Sequence, residues 1–112
     1  MKTYCSLKIR IKENIQSVNQ IMGIKSHAKY SNVWVLDIQT SKKKSYWDVL
    51  NTFIDLIDTK FQELYLEKIE KDDITLWLIC EYSEQCNLEF NPIILERIGK
   101  IGITLCISCY QK

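Results

Sequence analysis

Near the end of the chain, in "ITLCISCYQK", Cys106 and Cys109 stand three apart. That is the spacing of a thioredoxin-type redox pair and of half a zinc site. The neighbours give it another meaning. Apolar and polar residues alternate through this stretch, which predicts a strand, and an odd separation sends the two thiols to opposite faces. At a rise of ~3.3 Å per residue their Cα atoms are ~10 Å apart, whereas a disulfide needs less than ~7 Å. Redox pairs of this spacing sit where a helix begins after a strand, and no helical segment follows Cys109. Cys106 and Cys109 are therefore expected to be small apolar side chains in a strand. A zinc site drawn from Cys80, Cys86, Cys109 and His27 would need four separate segments to converge, with no second knuckle to set the spacing, so no metal and no cofactor are expected.

Other chemistry fares no better. His27 is the one histidine and lies in a polar stretch, which predicts an exposed residue and not a general base. The chain contains no G-x-S-x-G, H-E-x-x-H, Walker loop or G-x-G-x-x-G. Asp72-Asp73 falls at a predicted turn, where Asp is ordinary turn chemistry. Lys42, Lys43 and Lys44 form a polar turn that reads as solvated. No enzyme is expected.

The elements that must position these residues follow from periodicity. "TYCSLKIRI" alternates Cys5, Leu7, Ile9 and Ile11 against Tyr4, Ser6, Lys8 and Arg10, the pattern of a half-buried strand. Asn14 and Gly23 bracket a short helix carrying Ile15, Val18 and Ile21 or Met22. A weak strand or loop through "SHAKYSN" precedes a good strand over Val33–Gln39. From Ser45 a wide stripe of Trp47, Leu50, Phe53, Ile54 and Ile57 predicts an amphipathic helix. Phe61, Leu64 and Tyr65 extend it, or form a second helix capped by Asp58. "DITLWLICEYS" is the strongest strand and "SEQCNLEF" a loop. "NPIILERIGKIG" opens with a cap and a Pro and closes with glycines, and a last strand follows. The expected fold is one α+β domain over residues 1–112, with a mainly antiparallel sheet of four to five strands and helices on one face.

Composition narrows the function classes. Of 112 residues 46% are hydrophobic, enough for an ordinary core, and 15 basic residues against 14 acidic ones disfavour a general nucleic-acid binder. No apolar leader opens the chain, and no apolar run approaches the ~20 residues needed to span a bilayer. Five cysteines in such a chain read as reduced thiols of the cytoplasm. Charge is nevertheless segregated. Residues 1–30 carry six basic groups against Glu13 alone, whereas residues 67–89 carry seven acidic groups against Lys68 and Lys71. One reading is solvated turns flanking a strand; the other is an acidic surface facing a basic partner.

"TYCSLKIRI", the short helix ending "MGI", the strand "VWVLDI", the long amphipathic helix and "FNPIILERIGKIGITLCISCY" together resemble a bacterial family of unknown function, the DUF-four-two-seven-nine type. The chain departs from that family after Gly23-Ile24, where Lys25-Ser26 replaces its Pro-containing turn and Lys-Gly loop. The resemblance implies a small immunity protein of a contact-dependent growth inhibition system, which blocks a cognate toxin domain by occlusion. A basic nuclease is the partner that an acidic surface would suit. The residues expected to carry the contact are Trp77, Glu81, Tyr82, Glu84 and Glu89, at a sheet edge and in the loop after the strongest strand. The alternative is a small-ligand or nucleic-acid-binding module using Lys8, Arg10 and Lys42 to Lys44 beside exposed aromatics.

Overall fold

A computed structural model describes residues 2–28 and 32–112. The elements run β1 (Lys2–Arg10), α1 (Ile15–Met22), β2 (Val33–Gln39), α2 (Tyr46–Leu66), a 3-10 turn (Lys71–Asp73), β3 (Ile74–Tyr82), α3 (Pro92–Ile101) and β4 (Thr104–Gln111). The α+β architecture matches the expectation. Among the described residues the sheet has four strands in the order β2-β1-β3-β4. Of the weak strand or loop expected through "SHAKYSN", residues 26–28 are loop and Asn32 a turn, and residues 29–31 fall outside the described ones.

β1 pairs antiparallel with both β2 and β3, but β3 and β4 run parallel. A parallel pair cannot be closed by a tight turn, and α3 is the crossover between these strands. The strongest strand, expected at a sheet edge, is instead interior: β3 is hydrogen-bonded on both sides. The correction has a simple cause. Its two-sided apolar character, with Trp77 and Ile79 opposite Leu76 and Leu78, suits a strand with neighbours left and right.

The helices start where the local chemistry satisfies their free N–H groups. The side chains of Asn14, Ser45 and Asn91 accept from backbone amides of the first turn, and Ser45 with Asp48 forms a reciprocal capping box. α2 does not break at Asp58; it is one helix of 21 residues. Its apolar stripe and those of α1 and α3 cover one face of the sheet only. Cys5, Leu7, Ile9, Trp34, Leu36, Ile74, Leu76, Leu78 and Cys80 meet Val18, Met22, Leu50, Phe53, Ile57, Ile94 and Ile98 there, all buried. Each such aliphatic side chain contributes about 1.5–3 kcal/mol by leaving water. Among the described residues no helix is long and apolar enough to cross a membrane.

Candidate functional site

Among the described residues no helix covers the opposite sheet face. That face presents Tyr4, Lys8 and Arg10 from β1, Val33, Val35 and Asp37 from β2, Trp77, Ile79 and Glu81 from β3, and Cys106 and Tyr110 from β4. None of these side chains belongs to the core cluster. Trp77 lies near the middle, half-buried, with its indole N–H donating to Thr75 Oγ1 at 3.0 Å and the Lys8 ammonium 4.5 Å from its ring centre. Beside it Ser6 donates to Asp37 across the β1–β2 pair and is fully buried although it faces away from the helices. At one end an open depression of about 390 Å³ is lined by Lys2, Tyr4, Asp37, Glu81 and Tyr110 among others. Partial burial, then Glu81 and Tyr4, push the Tyr110 phenol above its ordinary value, a sign of how closely these groups crowd.

The five residues expected to carry the contact divide among three places. Trp77 and Glu81 share the open face. Tyr82, one position on, continues the alternation to the helix side at the end of β3. Glu84 and Glu89 are exposed in the loop before α3. That loop is anchored by a feature the sequence did not announce. The Tyr46 hydroxyl donates to Glu89 carbonyl oxygen (2.8 Å) and accepts from Glu89 N–H (3.2 Å), and the rings of Tyr46, Trp47 and Phe90 pack with centroids 5.7–6.5 Å apart.

The segregated charges meet at Asp73. Antiparallel pairing of β1 with β3 brings the basic first quarter against the acidic stretch. Asp73, nearly buried, takes Arg10 at 3.5 Å and Lys12 at 3.3 Å, and Glu13 takes Lys68 at 2.9 Å. Lys2 lies opposite Glu81 in register. The reading of solvated turns is thus corrected for Asp72-Asp73: the second carboxylate is a buried acceptor that also holds Glu70 N–H at 2.9 Å. Lys42 to Lys44 do form an exposed turn, closed by Ser41 and Lys44.

His27 is exposed beside β2, where its Nδ1 accepts from Asp37 N–H at 3.1 Å. Cys106 and Cys109 point to opposite faces, as their spacing predicts: Cys106 registers with Trp77 and Cys109 with Cys80. The expectation that the other thiols scatter is overturned. The loop after β3 turns back over the helix side, and the Sγ atoms of Cys80, Cys86 and Cys109 lie within 4.8 Å of one another. Cys86 and Cys109 approach to 3.4 Å. Burial first, then the two neighbouring sulfurs, push the Cys80 thiol up to about 12. The hydrogen bond with Cys109, then burial, raise Cys86. His27 takes no part; it lies along the opposite edge strand. The sequence signal for this cluster is faint, because it depends on β3 and β4 being neighbours in that register. The chain matches no family model, no curated protein and no solved structure.

Proposed function

We propose that this protein is a non-catalytic binding protein, an immunity protein that occludes a toxin domain, and that its contact surface is the open sheet face centred on Trp77. The observation that carries the reading is a four-stranded sheet covered by helices on one side only, with a Trp and two Tyr on the other. Protein interfaces draw most of their affinity from a few Trp, Tyr and Arg residues ringed by polar groups. Trp77, Tyr4, Tyr110 and Arg10 provide that set, and Lys8 over the Trp77 ring holds the indole in place before any partner arrives. Glu81 lies within this surface, whereas the loop carrying Glu84 and Glu89 turns to the helix side, so those two act on a partner through long-range charge.

Mixed charge favours a protein over a nucleic acid as the partner. Lys2, Lys8 and Arg10 on this side are accompanied by Asp37, Glu81 and Asp73, whereas single-strand binders line their aromatics with a cationic groove. The test is to look for a toxin domain in the neighbouring gene and, with that domain in hand, to titrate it calorimetrically with this protein. Trp77→Ala should weaken binding about 30-fold or more, the level of an interface hot spot, with the melting temperature little changed. Charge reversal of Glu81, Glu84 and Glu89 should slow association at low salt. Undiminished affinity of Trp77→Ala, or retention of the protein on a polyanion column in place of toxin binding, would sink the reading.

A further inference from the structure

We infer that Cys80, Cys86 and Cys109 form a zinc site, three thiolates holding one Zn²⁺ at the end of the β3–β4 pair. The geometry supports this from three directions. Parallel registration sets Cys80 directly beside Cys109 on the same side of the sheet, and neighbouring strands lie ~4.8 Å apart. Cys86, in the loop that turns back after Tyr82, completes a triangle whose sulfurs are all within 4.8 Å. A tetrahedral ion with Zn–S bonds of ~2.3 Å needs sulfurs ~3.8 Å apart. Side-chain rotations that move the sulfurs by up to about 1 Å, widening the 3.4 Å Cys86–Cys109 approach and drawing the longer separations in, reach that geometry.

The donor set narrows the choice to a thiophilic ion. Three sulfurs with no oxygen donor suit zinc and exclude the hard cations magnesium and calcium, which take oxygen ligands. Among the described residues no His, Asp or Glu joins the group. Cys80 is fully buried, Cys86 half-buried and Cys109 exposed, so the ion would cap the cluster from the solvent side, and its fourth ligand comes from there, a water or a partner's side chain. On binding, each thiol passes its proton to solvent and its sulfur lone pair to the metal, with no change of oxidation state. A disulfide between Cys86 and Cys109 is the rival use of the same sulfurs. It would need their 3.4 Å separation to shrink to ~2.05 Å, and it leaves the third thiol unexplained.

Zn²⁺ and, as a spectroscopic stand-in, Co²⁺ are titrated into the full-length protein, freshly reduced and free of oxygen, against a competing chelator. One equivalent per chain should bind, and Co²⁺ should show sulfur-to-metal charge-transfer absorption. Cys86→Ser and Cys109→Ser, both outside the fully buried core, should each lower affinity by at least about 100-fold, since even loss of a supporting group around a metal costs 10–100-fold. Cys106→Ser, on the other face, should change nothing. Cys80→Ser is not the primary variant because its site is in the core. The inference is overturned by folded, reduced protein that takes up no Zn²⁺, including protein that forms the Cys86–Cys109 disulfide on mild oxidation instead. It is equally overturned by uptake that survives both substitutions or that Cys106→Ser abolishes.

Discussion

Cys5 faces the helices from an interior strand, and burial pushes its thiol up to about 12. Below about pH 8.5, the ordinary thiol value, folded and unfolded chains both keep this proton. Above it only the unfolded chain ionises, so unfolding releases a proton and stability falls as pH rises toward 12. Denaturant unfolding from pH 8 upward should show a slope to which Cys5 and Cys80 each add about 1 kcal/mol per pH unit, and Cys5→Ala removes its share while lowering stability throughout. Parallel curves for the two proteins would reject the assignment. The inward direction of Cys5 was legible, because alternation within one strand needs no knowledge of neighbours. The convergence of Cys80, Cys86 and Cys109 was not, since it needs the strand order, the parallel register and the path of a loop.

At the level of elements, helix beginnings were readable and one helix end was not. Asn14, Ser45 and Asn91 mark the starts, and Gly23 and Gly102 take left-handed stops at φ 72° and 77°. α2 closes without a glycine. Lys68 occupies the left-handed position at φ 64°, its N–H reaching Tyr65 carbonyl oxygen while Ile69 N–H reaches that of Leu64. This is the Schellman arrangement with its usual apolar contact between the last turn and the residue beyond, here Leu64 and Ile69, both fully buried. The tertiary contact of Ile69 forces a conformation that a lysine resists. Lys68→Gly should therefore raise the melting temperature by a few degrees, even though the exposed ion pair to Glu13 is lost. A lower melting temperature would mean the ion pair outweighs the backbone. The parallel β3–β4 pair escaped the sequence for a related reason: a helix of α3's length can connect strands of either sense.

Across the whole molecule, charge blocks distant in sequence are brought together at Asp73, in the turn that opens β3. Asp73 is the pivot, nearly buried, serving Arg10, Lys12 and the Glu70 amide together. Asp73→Asn keeps the shape but removes the charge, and should cost about 1–3 kcal/mol in urea unfolding. A loss below about 0.5 kcal/mol would show that solvent screens the cluster. The two blocks could be read from the sequence; their meeting could not, because nothing local says that β1 lies beside β3. The edges are treated unequally. On the outer side of β2, Ser26 Oγ accepts from Val35 N–H, His27 Nδ1 accepts from Asp37 N–H and the His27 amide donates to Val35 carbonyl oxygen, whereas β4 is the other edge. The order β2-β1-β3-β4 also bears on how the chain acquires its shape. β1 can zip onto β2 early, but its second side waits for β3, and Lys2 finds Glu81 only after most of the polypeptide exists. Closing that long loop ahead of any reward places the protein among the slower small folders, with the apolar flank of its central strand unsheltered while synthesis proceeds.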